Sequence, residues 1–153
     1  MILREVRPGD AAALAELAGQ LGYPTTGGDI ERRLSAVRPG PGRAVFVADD
    51  GSGGLLGWVE VRGVELLIAD RYADLAALIV DERHRGQGIG RSLLERALVW
   101  AHDNGYALLR VRSNVIRERA HRFYEDLGFE REKTSAVFRR ATGPDLPRLD
   151  ARA

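Results

Sequence analysis

Arg85-Gly86-Gln87-Gly88-Ile89-Gly90 sets three alternate glycines behind an arginine, between the apolar run AALIV (76–80) and an amphipathic stretch opening at Arg91. Glycine permits positive φ and clears the side chain from the path of anything approaching the backbone. A turn of this kind gathers several N–H groups into a concave anion site. A helix starting there adds unpaired donors and the positive end of its dipole. The chemistry this arrangement suits is phosphate binding, and a ligand-free strand-to-helix turn fits the same residues equally well. Two phosphate motifs do not fit. A P-loop needs Gly-Lys-Ser/Thr, but Gly90 is followed by Arg91 and Ser92. The dinucleotide fingerprint needs a third glycine where Arg91 stands, and usually opens on an early strand. Arg83, Arg85 and Arg91 crowd the loop, as a solvated rim or as groups that steer an anion. Asp74 is the lone carboxylate on an otherwise apolar stretch, either a base or a strand-start group facing water.

These residues need elements to hold them. ILREV alternates as a strand, Pro8-Gly9 ends it, and Asp10 is placed to cap a helix with Leu14, Leu17, Ala18 and Leu21 on one face. Ile30, Leu34 and Val37 mark a second helix. AVFVA and LLGWVEVR form a hairpin around DDGSGG, with Leu55, Val59 and Val61 on one face and Glu60 and Arg62 on the other. Residues 64–68 extend that strand, and 70–72 turn. Residues 73–80 read as a central strand buried on both faces. The helix after the glycines carries Ile89, Leu93, Ala97, Trp100 and Ala101 inward and stops at Asn104-Gly105. YALLRVR is a strand. Asn114 caps a last helix with Ala120, Phe123, Tyr124 and Leu127 on one face, closed by Gly128. FEREK and SAVFRR finish the sheet. The order is βααβββαβαββ, an α+β chain in one piece over 1–141, with 142–153 a frayed, flexible tail.

The 153 residues fit one domain with its own core. With no cysteine, disulfides, thiolate metal sites and a cysteine nucleophile are excluded. No metal is expected, because the histidines have no ligand spacing. A net charge of +1 gives no overall case for nucleic acid. No apolar run reaches membrane-span length, and the N-terminus lacks a signal-peptide core, so a cytoplasmic protein without membrane association is the expectation.

Arg85, Gly88 and Gly90 meet the pattern Arg-x-x-Gly-x-Gly, and here the chain resembles the Gcn5-related N-acetyltransferase (GNAT) family. AHRFYEDLGF (120–129) is similar to the family's A-x-x-F-Y-x-x-x-G-F segment, and Asn114 matches an asparagine often found after the preceding strand. The resemblance covers nearly the whole chain in element order. It is most specific from about Asp74 to Phe129, and the chain looks like small bacterial acetyltransferases of general type.

The resemblance implies a mixed, mostly antiparallel sheet of six to seven strands flanked by about four helices. It implies acetyl-CoA as cosubstrate, its pyrophosphate on Arg85, Gly86, Gln87, Gly88, Ile89, Gly90 and Arg91. Backbone groups of Leu78, Ile79 and Val80 would meet the pantetheine arm and the oxyanion, and Asn114 would also bind the cofactor. The implied reaction is attack of a small-molecule or peptide amine on the thioester. A free alkylamine has a pKa near ~10.4, so a base helps, and a thiol near ~8.5 leaves more readily with an acid beside it. Tyr124 corresponds to the family tyrosine whose hydroxyl faces the CoA sulfur. Asp74 stands eleven residues before Arg85, where some members carry a catalytic glutamate, and ordered waters often replace one base. His121 would tune Tyr124 or simply pack. Tyr23, Tyr72, Glu65 and Asp70 would wall the amine's entry. Dimers are common in the family, so a homodimer is compatible with it. The alternatives are a non-catalytic acyl-CoA-binding regulatory module, against which Tyr124 argues, and an RNA-binding protein using the arginines of 110–122.

Overall fold

The computed structural model describes residues 1–37, 40 and 42–143. The chain divides into two compact units, Met1–Ser113 and Asn114–Ala153. The first unit holds β1 (Ile2–Glu5), α1 (Ala11–Gln20), α2 (Gly27–Ala36), β2 (Arg43–Asp49), β3 (Leu55–Val64), β4 (Tyr72–Val80), α3 (Ile89–Asp103) and β5 (Leu109–Val111). The second holds α4 (Glu118–Asp126). The sheet runs β1-β2-β3-β4-β5. β1 to β4 pair antiparallel in chain order, and β5 joins β4 in parallel.

Among the described residues the expected α+β class and four helices are present, but the sheet has five strands rather than six or seven. No residue from 130 to 143 lies in a strand, so the order ends β5-α4 without FEREK and SAVFRR. Glu130, Arg131, Glu132 and Lys133 are four charges in a row, with no alternating apolar face to fix a register. YALLRVR keeps only Leu109–Val111 as strand, and β3 stops at Val64. Leu67 and Ile68 beyond it are fully exposed. The tail from 144 lies outside the described residues.

Period-2 alternation gives the sheet two different faces. Val45, Val47, Trp58 and Ile79 pack against Leu14, Leu17 and Ala18 of α1. On the other face α3 crosses β2, β3 and β4, and Phe46, Val59, Val61, Leu93, Leu94 and Ala97 are fully buried. Gly57 allows that crossing. A Cβ there would stand 2.6 Å from the Ile79 carbonyl oxygen and 3.1 Å from Leu93 Cδ1.

One helix start in the first unit differs from expectation. Asp10 accepts from the Arg7 N–H at 2.7 Å and from the Arg4 guanidinium at 2.8 and 2.9 Å, rather than capping α1. Arg4 also reaches Asp49 at 2.9 Å, so one arginine ties β1 to the first helical turn and to the end of β2. Thr26 supplies the cap of α2 by accepting from the Asp29 N–H.

Candidate active site

β4 carries the geometry that matters. Its register with β3 slips between Glu60 and Val61: Glu60 faces Ala77, but Val61 faces Leu75. Ala76 is the extra residue of a β-bulge, and it is exposed in mid-strand. The bulge inverts the side-chain phase, so Asp74 lies on the α1 face with Ala77 and Ile79. β5 pairs with β4 only at Ala73, Asp74 and Leu75. Past the bulge, among the described residues of this unit, 76–80 have no strand partner on the β5 side. Leu78 and Val80 therefore turn backbone groups to a free edge, while those of Ile79 between them face Trp58 of β3.

The free edge leads into the glycine loop. Gly86 and Gly88 have φ of +77° and +81°, the left-handed region glycine favours, and Gly88 is the N-cap of α3. A Cβ at either position would meet nothing within 4 Å, so the loop faces open space. The N–H groups of 86–91 find no acceptor among the described residues. These converging orphan donors, at the positive end of a 15-residue helix, fit a pyrophosphate.

Of the three loop arginines, Arg85 donates from Nε to the Val80 carbonyl at 3.3 Å, closing the loop on the strand it leaves. Arg91 pairs with Glu95 one turn along at 2.9 Å, an exposed pair that holds it weakly. Arg83 is committed to Asp81, at 2.7 Å from Nη2 and 3.1 Å from Nε.

Asp81 is the residue the sequence reading passed over. It is fully buried, and it also accepts from the Arg83 backbone N–H at 3.0 Å. Its own N–H donates to the Leu56 carbonyl, and the next N–H, that of Glu82, donates to Gln20 Oε1. The turn entering the glycine loop is thus pinned to β3 and α1. The Arg83 side chain is the main cause holding the Asp81 carboxyl far below the usual carboxylate range, against the opposing effect of burial. A depressed folded-state pKa gives stability that is present above the unfolded value, about 3.9, and lost as pH falls below it. Asp81→Asn is therefore expected to cost about 2 kcal/mol at pH 7 and to flatten the acid limb of stability below pH 4. Urea denaturation of both proteins at pH 7 and pH 3 checks this, and an unchanged difference between them at the two pH values would contradict it.

Asp74 is nearly buried, but it is not free. Arg62 holds its Oδ2 at 3.0 Å, and Arg112 approaches Oδ1 at 3.9 Å. Its lone pairs meet guanidinium groups, which suits a positioning role better than that of a base.

In the second unit, Tyr124 lies half-buried on α4, with Phe123 and Phe129 edge-on to it at 5.2 and 5.6 Å between ring centres. Burial pushes its phenol up from the ordinary value, against the opposing charge of Arg117. A phenol so placed keeps its proton through neutral pH and can donate it. Asn114 does not cap α4, which starts after Arg117. Its Oδ1 accepts from the Ile116 N–H, and its carbonyl accepts from His121 Nε2 at 2.9 Å. His121 thus braces the turn before α4. Among the possible entry residues, Tyr72 is buried beneath Arg110, while Tyr23, Glu65 and Asp70 are exposed. Among the described residues no cluster could hold a metal, and no helix is long and apolar enough to cross a membrane.

A family model described as an acetyltransferase (GNAT) domain matches residues 41–131. Aminoglycoside N(6')-acetyltransferase type 1 of Stenotrophomonas maltophilia is 31% identical over 149 residues, covering 93% of this chain and 94% of that protein. N-acetylaspartate synthetase of Xenopus tropicalis is 33% identical over 90 residues, 59% of this chain, which spans only 32% of that longer protein. A solved structure from Agrobacterium tumefaciens str. C58, assigned as an acetyltransferase, superposes with a TM-score of 0.80 at 27% identity, covering 92% of this chain and all of that one. With the family model over more than half of its length and one relative matched nearly end to end, the chain belongs to the GNAT family of acetyltransferases.

Proposed function

We propose that this chain, as a single acetyltransferase domain over 1–141, transfers an acetyl group from acetyl-CoA to the primary amine of a small molecule or peptide by direct attack on the thioester. The observation that carries the reading is the set of N–H groups from Gly86 to Arg91 that have no acceptor among the described residues, opening at the end of a strand whose last residues lack a described strand partner on that side. These amides would hold the cofactor's pyrophosphate, with Arg85 and Arg91 at the rim. The backbone of Leu78, Ile79 and Val80 would line the pantetheine arm, and its edge-facing N–H groups would be offered to the oxyanion. Acetyl-CoA supplies the activated acetyl group and a thiolate leaving group. Tyr124 gives its proton to that thiolate as the C–S bond breaks, and Asn114 shapes the turn that leads to it. Asp74 orders the arginines beside the bulge, and the amine loses its proton to solvent.

The names of the relatives, an aminoglycoside acetyltransferase and an N-acetylaspartate synthetase, support an amine acceptor without choosing one. The test is thiol release from acetyl-CoA by the purified chain across a panel of amines. Release that depends on one of the amines supports the reading. Binding of acetyl-CoA without release on any amine would favour the acyl-CoA-binding regulatory module.

A further inference from the structure

Beside the Ala76 bulge, on the α1 face, the sheet carries charge instead of core. Cross-strand pairing sets Arg43 opposite Arg62, Val45 opposite Glu60, and Arg62 opposite Asp74. Arg43 pairs with Glu60, Arg62 with Asp74, and Arg112, just past β5, approaches Asp74. The two signs are not presented equally. The Glu60 and Asp74 side chains are 16% and 5% exposed, whereas those of Arg43, Arg62 and Arg112 are 43%, 50% and 70% exposed. The carboxylates lie underneath and hold guanidinium groups outward. Arg110, on the same face, stacks over Tyr72 with 4.5 Å to the ring centre. At 3.9 Å from Asp74, Arg112 is within ion-pair range of that carboxylate but beyond hydrogen-bonding distance of it.

Position gives this cluster meaning. From Val80, where the strand leaves for the glycine loop, back to Ala76, β4 spans about 13 Å at ~3.3 Å per residue, and a donor anchored at the loop and lying along this edge would bring its reacting end toward the bulge. Glu60 is the cross-strand neighbour of Ala77 there. Asp74 and its arginines stand two residues, ~7 Å, further along. That offset corresponds to a few bonds in a small acceptor. A polycationic amine would meet guanidinium groups at this face, whereas an anionic oxygen pair would match their planar donor fork.

Resting on the acetyl-transfer reading above, we infer that the acceptor is a short amine that also bears an anionic group, a carboxylate or a phosphate, which Arg112, Arg62 and Arg43 receive beside the β4 bulge. The class is that of amino acids and aminoalkyl phosphates, not polyamines or aminoglycosides.

Matched acceptors test it: β-alanine and O-phosphoethanolamine against propylamine, phenylalanine against phenethylamine, and lysine against cadaverine. An anionic member is expected to exceed its neutral or cationic counterpart at least tenfold in kcat/KM, and the carboxylate and phosphate arms tell which anion is read. Arg112→Gln, at an exposed position that leaves the Arg62–Asp74 pair in place, is expected to cut that ratio about tenfold through KM, and Arg112→Lys to restore part of it. Equal or better use of the uncharged or cationic members would overturn the inference. So would a ratio unmoved by Arg112→Gln, or no turnover of any member by a protein that binds acetyl-CoA. Failure to bind acetyl-CoA would instead bring down the acetyl-transfer reading on which it rests.

Discussion

Tyr124→Phe is expected to lower kcat for acetyl transfer by about 100-fold, the usual scale for a single positioned acid, while leaving the Kd for acetyl-CoA within about twofold. The substitution removes one oxygen and keeps the ring, so the edge contacts with Phe123 and Phe129 persist. What disappears is a donor whose burial holds the proton on through neutral pH. The thiolate must then leave unprotonated or take its proton from water. The prediction separates two roles for the residue. A tyrosine that only packs gives a phenylalanine variant with the parent's rate, and that result would remove Tyr124 from the chemistry. Rapid-quench measurement of a single turnover, beside an acetyl-CoA titration, reads both quantities in one preparation.

The second large effect is expected at Gly88. Its φ of +81° costs a side-chain-bearing residue roughly 1–2 kcal/mol. The open space before it accepts a glutamate without a steric clash. A carboxylate there would stand where the pyrophosphate is held, and two like charges at 4 Å repel by about 4 kcal/mol near a protein surface. Together these predict at least a ~100-fold weaker Kd for acetyl-CoA in Gly88→Glu. Gly88→Ala separates the terms, because it carries the strain without the charge and should weaken binding far less. Equal losses in the two variants would show that loop conformation alone is at work. Unchanged binding in both would mean that the loop holds no phosphate.

The glycine loop was legible because its chemistry is local: the residues that make the turn are the residues that would bind. The helix after it was legible for a similar reason, since Ile89, Leu93, Ala97, Trp100 and Ala101 keep one period and all are buried. The bulge was not. AALIV reads as an unbroken apolar run, and nothing local says that Ala76 is the extra residue turning Asp74 to the α1 face. Register is a property of two strands, and one strand's composition does not contain it. Asp81 was hidden differently. It looks like an ordinary polar residue at a strand end, and its burial arises only when β3 and α1 close over the turn. The expected strands after residue 129 rested on element order alone, and the run of charge from Glu130 to Lys133 was the local signal against them. The arginine cluster is not legible as a unit in the sequence, because Arg43, Arg62 and Arg112 are far apart in it and the sheet alone brings them to one face.

Acetyl transfer by this chain requires acetyl-CoA to occupy the glycine loop and the free edge of β4. Calorimetric titration of the purified protein with acetyl-CoA, repeated with Gly88→Glu, tests it most directly. The expected result is saturable binding at one site per chain, lost in the variant. No binding by the parent protein, or the same binding in both, would contradict it.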